Sequence, residues 1–415
     1  MMWRRGRTSL RLLLVAALTM LCAAGGGCSG SSAVSPQATG SEPARDGPAE
    51  LAEVQAALDL AAHALVAGDR SEYEAALPAY GAEARKVTAA LYRRLGSLPW
   101  RRFRFTATAI PGHQGRYEVQ ASGRLARVGP DDRLAAVRVL DFGIRAGVLG
   151  VVADETPRDV RRQYFMAFSR PIVVRRQGLV VLTDASDRRA AEAIAAVGQE
   201  ARQRLALLRV DADDPLFVAV YESSNQAGVS LGGALTKSAP AFAVKVDRVS
   251  GEPWRLLDIV VMGQYVAQGD SWLPRLLAHE MAHAYTSQWF ASTRHRPPLL
   301  LEGLATAVEG GRSFAPLRAE IAAGNHVWPL VDALSVGDLW MGSTNEEVAV
   351  AYLEGAALVL YVLDEWGLER LRPFVVAIAN SDLSRDGIDA ACRDVLGVGW
   401  GRFYSGWREY AMTLP

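Results

Sequence analysis

Residues 276–285 read Leu-Leu-Ala-His-Glu-Met-Ala-His-Ala-Tyr, with two histidines four positions apart and a glutamate directly after the first. The spacing of apolar residues is helical, and an aspartate, a serine and a proline within residues 270–274 are typical of a helix start. Positions i and i+4 share one helix face, so His279 and His283 can bind the same zinc ion. Glu280 leans toward the same cleft, where it can take a proton from a water molecule. The segment predicts a metal-binding helix with a general base beside it.

A catalytic zinc site needs a third protein ligand and one open position. Residues 297–305 read Pro-Pro-Leu-Leu-Leu-Glu-Gly-Leu-Ala, which places Glu302 nineteen positions after His283, at the start of another apolar helix. An HExxH segment followed at this distance by Glu-Gly-Leu-Ala resembles the gluzincin zinc metallopeptidases, in particular the peptidase MA-like families related to aminopeptidase N-like enzymes. The resemblance covers roughly residues 175–415. It implies that Glu302 is the third zinc ligand.

A further match to the same families lies at residues 351–356, Ala-Tyr-Leu-Glu-Gly-Ala. It resembles their Tyr-Glu-Lys-Gly-Ala element, in which the phenol donates a hydrogen bond to the oxyanion of the tetrahedral intermediate. The resemblance implies this role for Tyr352, and simple packing of the tyrosine is the alternative. Thr306 and Glu309, one and two turns after Glu302, are candidate hydrogen-bond partners of the histidine ligands.

One departure from the family bears on the substrate. The strand predicted at residues 258–263, Asp-Ile-Val-Val-Met-Gly, lacks the Gly-x-Met-Glu-Asn element by which aminopeptidase N-like enzymes hold a free amino terminus. We therefore expect an endopeptidase acting on peptides or proteins rather than an aminopeptidase. The same strand is expected to pair with an extended peptide through its backbone, as the edge strand of a sheet does.

The N-terminal residues 1–28 predict an export signal. Four arginines precede an apolar stretch over residues 12–24, which is the build of a signal peptide. Residues 25–30, Gly-Gly-Gly-Cys-Ser-Gly, resemble the lipobox of bacterial lipoproteins. This implies a lipid anchor at Cys28 that holds the protein at the extracytoplasmic side of the cell membrane. Gly25 stands where a leucine is usual, so cleavage to a soluble product and an uncleaved membrane anchor are alternatives.

The remainder predicts an α+β fold in two domains joined to the signal by a flexible linker at residues 29–50, which are rich in Gly, Ser, Ala and Pro. Residues 51–172 predict helices that are interrupted at residues 67–69, followed by a curved antiparallel sheet. This order resembles the cone-shaped nuclear transport factor two-like fold, which implies ligand or partner binding; a spacer is the alternative. Residues 173–415 predict a second α+β domain, and the resemblance implies that it is thermolysin-like or gluzincin-like, with a small mixed sheet and a helical C-terminal lobe.

Composition limits the classes of function. The 45 basic and 45 acidic side chains cancel, so we expect no nucleic-acid partner. The three cysteines exclude a disulfide framework, and Cys392 is predicted to be a packed helix residue. The alternative to an enzyme is a non-catalytic zinc-containing surface lipoprotein that acts as a binding module.

Overall fold

The protein is described from a computed structural model. The residues it describes are 50–125, 133–145, 148–154, 170–176, 178–209, 216–223, 227, 241–245, 257–266, 272–290, 292–324 and 344–415. The predicted signal segment, Cys28, linker residues 29–49 and the predicted helix-start residues 270 and 271 lie outside the described residues.

Three helices open the described chain: α1 (Leu51–Ala67), α2 (Arg70–Ala76) and α3 (Ala82–Leu95). The predicted interruption at residues 67–69 is confirmed and has a local cause. Gly68 adopts a left-handed φ of 73°, which ends α1. The Asp69 carboxylate then accepts a hydrogen bond of 3.0 Å from the Glu72 backbone N–H and caps α2.

The first sheet is an antiparallel meander in the order β1-β2-β3-β4, as the alternating residues predicted. Its strands are β1 (Trp100–Ala109), β2 (Arg116–Leu125), β3 (Arg133–Arg145) and β4 (Val148–Asp154). Helix α1 packs on β1, and the Gln55 side chain bonds the backbone of that strand twice. Its Nε2 donates to the Phe105 carbonyl and its Oε1 accepts from the Ala107 N–H, both at 2.9 Å.

The second sheet is mixed, with the strand order β5-β6-β7-β9-β8. Its strands are β5 (Pro171–Arg176), β6 (Leu179–Asp184), β7 (Leu216–Tyr221), β8 (Ala241–Lys245) and β9 (Leu257–Met262). The pairs β6–β7 and β7–β9 are parallel, whereas β5–β6 and β8–β9 are antiparallel.

The expectation that the strand at residues 258–263 lies at a sheet edge is wrong. This strand is β9, and both of its sides are occupied because β7 and β8 flank it. Among the described strands, β8 and β5 form the edges of the sheet.

Helices make up most of the remaining chain. They are α4 (Arg188–Arg204), α5 (Gly263–Val266), α6 (Leu273–Thr286), α7 (Pro298–Glu309), α8 (Ala315–Ala322), α9 (Asn345–Trp366), α10 (Leu368–Asn380), α11 (Arg385–Leu396) and α12 (Trp400–Thr413). Short 3-10 turns occupy Ala185–Asp187, Leu205–Leu208 and Ser287–Phe290. The mixture of helices and two sheets agrees with the predicted α+β class. In the part of the chain that is described, no helix combines the length and the apolar character needed to cross a bilayer.

The second sheet is covered on both faces, which explains why its central strands are apolar throughout. Val181, Val218 and Ile259 belong to a hydrophobic cluster formed with the helices that follow. Alternate residues such as Val180 and Phe217 belong to a second cluster, which also contains α1 and the first sheet. The predicted domain boundary between residues 172 and 173 falls inside β5, and the division into two domains stays a prediction.

Helices α7 and α9 cross at a pair of glycines, Gly303 and Gly355. A Cβ atom on Gly303 would lie 2.5 Å from the carbonyl carbon and oxygen of Gly355, and a Cβ on Gly355 would meet the Leu299 carbonyl oxygen. Backbone therefore touches backbone, and no larger residue fits without moving a helix. The crossing fixes Glu302 of α7 against Tyr352 of α9.

We expect Gly303→Ala to destabilise the protein by about 1–3 kcal/mol, because the added methyl group forces two packed helices apart. Thermal or urea unfolding of the purified variant measures this. Gly401→Ala is the matched control, since a Cβ at this helical position meets no atom within 4 Å. The control should be neutral or slightly stabilising, as alanine is the better helix former. Equal unfolding free energies for Gly303→Ala and the wild type would contradict the tight crossing.

Candidate metal centre

The two histidines of the HExxH segment lie on one face of α6, as their spacing predicted. Pro274 stands in the first turn of this helix, where its missing N–H costs nothing. The Nε2 atoms of His279 and His283 are 3.2 Å apart. The His279 side chain is only 5% exposed, whereas those of His283 and Glu302 are 18% and 15% exposed, so His279 is the most deeply buried of the three.

Glu302 completes a group of three possible metal ligands. Its Oε2 atom lies 3.3 Å from His279 Nε2 and 3.4 Å from His283 Nε2. Zinc bonds of about 2.0–2.1 Å in a tetrahedral site separate neighbouring ligand atoms by about 3.3–3.4 Å. The three donor atoms therefore already have the mutual spacing that such an ion requires, and the residues fit a metal.

The electrostatics of His279 and Glu302 also agree with a cation at this place. Burial acts to lower the pKa of His279, but its contacts with Glu302 and Glu309 outweigh burial and raise the pKa to about 10. Burial acts to raise the pKa of Glu302, but His283 and His279 prevail and hold it well below its usual range. The buried Glu302 Oε2 has no well-aligned hydrogen bond from any described residue. The cluster thus favours a positive charge at its centre.

Glu309 lies behind the candidate metal-binding face and pairs with His279 as predicted, as a close charged neighbour rather than through a well-aligned hydrogen bond. Its Oε2 lies 3.3 Å from His279 Nδ1, on the opposite side of the ring from the ligand nitrogen. A carboxylate in this place fixes the tautomer and orientation of a histidine ligand. Burial acts to raise the pKa of Glu309, and its contacts with His279 and Arg312 lower it below the usual value, so it is held as the carboxylate.

The corresponding expectation for Thr306 is wrong. Its side chain is buried, but the hydroxyl has no hydrogen-bond partner among the described residues, the histidines included. Glu309 occupies the position behind His279, which leaves Thr306 as part of the packed wall of α7.

Glu280 and Tyr352 complete the centre. Both are buried, with 3% and 4% exposure. The charge of Glu280 acts to raise the pKa of both His279 and Tyr352, so its carboxylate lies near both side chains. Burial and the nearby Glu302 raise the pKa of Tyr352 well above its ordinary value of 10.0, so the phenol keeps its proton. The ring of Tyr352 lies 6.2 Å from that of His279.

Two charged residues were not predicted, and one of them, Arg312, lies near this centre. Arg312 pairs with Glu309 and lies over the ring of Tyr352, with 5.7 Å between its Cζ and the ring centroid. Glu354, two positions after Tyr352, is fully buried. The position of Arg312 could have been predicted from the sequence, because the glycine pair at 310 and 311 predicts a turn that brings the chain back toward Glu309.

Cys392 is a packed helix residue, as predicted. It is buried in α11, and burial followed by the charge of Asp389 raises the pKa of its thiol to about 12. A thiol of this kind is not a nucleophile at neutral pH.

No protein-family model matches the chain, and no curated protein matches it either.

Proposed function

We propose that this protein is a zinc-dependent peptidase that resembles the gluzincins, with His279, His283 and Glu302 as zinc ligands. The observation that carries the proposal is the triangle of donor atoms with sides of 3.2–3.4 Å, with the carboxylate of Glu280 and the phenol of Tyr352 close to it. A structural zinc site has four protein ligands, whereas a catalytic one has three and an open position. Three candidate ligands among the described residues, with a partly exposed His283, fit the catalytic type.

The bound ion would polarise the substrate carbonyl and make a water molecule acidic enough to attack it at neutral pH. Glu280 follows directly after a ligand histidine, so its carboxylate is held next to the attacking water and accepts the proton that the water loses. The same carboxyl group then hands this proton to the leaving amine. Glu280 therefore acts first as general base and then as general acid.

Tyr352 supplies the hydrogen bond for the negative charge that develops on the carbonyl oxygen. A donor of this kind must be neutral, and the raised pKa of Tyr352 keeps the phenol protonated across the physiological range. The glycine crossing of α7 and α9 holds this donor in place before substrate binds. Preorganised donors stabilise the transition state without reorganisation during the reaction.

Strand β8 supports an endopeptidase. It forms an edge of the described sheet and packs against the metal-binding helix α6. A free edge presents unpaired backbone N–H and C=O groups to which an extended peptide can add as a further strand. A substrate bound in this way needs no free amino terminus at the centre, which agrees with the missing amino-terminus element.

The test is metal content combined with hydrolysis of an unstructured protein. We expect the purified full chain to contain about one zinc ion and to cleave casein, to lose this activity with 1,10-phenanthroline, and to regain it when zinc is restored. Zinc binding without chelator-sensitive cleavage of casein would favour the non-catalytic binding module. Cleavage that withstands removal of the metal would contradict the proposed mechanism.

A further inference from the structure

The end of α7 is held by two arginines from other helices. Arg204 Nη1 of α4 donates a hydrogen bond of 2.8 Å to the Glu309 carbonyl oxygen, and Arg275 Nη1 of α6 donates one of 3.2 Å to the Gly311 carbonyl oxygen. The terminal carbonyl groups of a helix lack partners within the helix and carry partial negative charge, so cations stabilise them. The position of Glu309 is therefore fixed at the backbone level.

The chain then reverses direction through two glycines. Gly310 and Gly311 both have left-handed φ values, of 63° and 67°. A Cβ atom on Gly311 would also lie 2.7 Å from Nη2 of Arg275, so both space and conformation favour glycine there. This turn carries Arg312 back over the end of α7.

Arg312 donates two hydrogen bonds to the carboxylate of Glu309. Nε donates to Oε1 at 2.9 Å and Nη2 donates to Oε2 at 2.6 Å. The same Oε2 atom lies 3.3 Å from His279 Nδ1. A bidentate pair fixes the plane of a carboxylate as well as its charge, so the guanidinium of Arg312 determines which oxygen faces the histidine.

The same guanidinium faces Tyr352. Its Cζ lies 5.7 Å from the ring centroid, within the distance at which a cation is attracted to the face of an aromatic ring. Arg312 thus contacts the residue behind one metal ligand and also the candidate oxyanion donor. Exposed Arg–Glu pairs contribute little to stability, but here the Glu309 side chain is only 14% exposed.

We propose that Arg312 is a positioning residue, which orients the His279 ring for zinc through Glu309 and orients the Tyr352 phenol through its ring. The second half of this statement rests on the proposed function, whereas the first half requires only that the centre binds zinc. Loss of Arg312 leaves the Glu309 carboxylate free to turn, so His279 loses its fixed orientation. Residues that support a metal ligand in this way are typically worth 10–100-fold in metal affinity.

The experiment compares Arg312→Gln and Arg312→Lys with the wild-type full chain. Arg70→Gln is the matched control, because Arg70 also pairs with a glutamate, Glu74, at 2.7 Å, but on the surface and distant in sequence from the centre. Zinc affinity is measured by competition with a chromophoric chelator, and the visible spectrum of the Co²⁺-loaded protein reports ligand geometry. Hydrolysis of an internally quenched peptide gives kcat and KM.

We expect Arg312→Gln to weaken zinc binding by about 10–100-fold and to change the Co²⁺ spectrum. Arg312→Lys should recover part of the zinc affinity, since lysine keeps the charge but cannot donate two hydrogen bonds to the carboxylate in the fixed geometry of arginine. Zinc-saturated Arg312→Gln should show a lower kcat with little change in KM, because Tyr352 acts in the transition state. Arg70→Gln should match the wild type in every measurement.

Wild-type zinc affinity in Arg312→Gln would overturn the role at His279, and an unchanged kcat in that variant would overturn the role at Tyr352. If Arg312→Gln does not fold, wild-type affinity and kcat in Arg312→Lys overturn the two roles instead. A wild-type protein that binds zinc but cleaves no peptide contradicts the proposed function alone, because the affinity comparison then still decides the role at His279.

Discussion

Replacement of Glu280 by glutamine should reduce the turnover number by about 10²–10⁴-fold, the usual contribution of general acid–base catalysis. Glutamine has almost the same shape as glutamate, but it can neither accept the proton of the attacking water nor return it to the leaving amine. Glu280 is not among the three donor atoms that meet at 3.2–3.4 Å, so the variant should bind zinc like the wild type. The measurement is kcat on an internally quenched peptide, with the zinc content determined on the same sample.

The control for this prediction is Glu346→Gln. Glu346 is exposed in the first turn of α9, and the same chemical change there should leave kcat unaltered. Retained peptidase turnover in zinc-loaded Glu280→Gln would rule out the assigned general base. Loss of zinc together with loss of turnover would show instead that Glu280 supports the metal site.

The parts of the fold that depend on residues close together in the sequence could be predicted. The break between α1 and α2 follows from Gly68 and Asp69, whose conformational and capping preferences act within one helical turn. The shared face of His279 and His283 follows from helix geometry alone. Glu302 could be predicted as a ligand only through the resemblance to a family, because the local sequence does not show that α7 packs against α6.

The features that could not be predicted depend on tertiary packing. Strand order placed β9 inside the sheet; its apolar residues 259–262 are typical of a strand covered on both faces, but they do not say which strands flank it. The Gly303–Gly355 crossing needs two helices that are about fifty positions apart, and each glycine alone predicts only a weak helix position. The contact between Arg312 and Tyr352 likewise depends on how α7 and α9 cross. The side chains that support the candidate metal ligands are therefore the part of the centre that is hardest to predict from the sequence.

Glu354 carries the second large expected effect, on stability. It lies on α9 with no exposed surface, and neither carboxyl oxygen has a hydrogen-bond partner in the described chain. Burial raises its pKa well above the ordinary value of 4.5. A buried polar group without a partner costs about 1–3 kcal/mol, and Glu354→Met, which keeps the volume, should recover a stabilisation of this size.

Glu354→Gln keeps a buried polar group but cannot ionise, so it isolates the part of the free energy of unfolding that depends on the ionisation of Glu354. Below pH 4.5 the carboxyl group is protonated in both the folded and the unfolded chain, so the variant and the wild type should have similar pH dependence. Above pH 4.5 the unfolded chain releases the proton while the folded chain holds it, so the stability of the wild type falls as pH rises toward the folded pKa. The variant lacks this loss. The ratio of the wild type's unfolding equilibrium constant to that of the variant should therefore rise by up to about tenfold per pH unit.

Urea unfolding of the two proteins at several pH values between 4 and 8 measures this difference, with Glu346→Gln on the same helix as the control. Parallel pH profiles for Glu354→Gln and the wild type would mean that Glu354 finds a partner or water in solution. A widening gap would show that Glu354 keeps its proton in the folded chain and loses it on unfolding, so that the folded protein loses stability as pH rises.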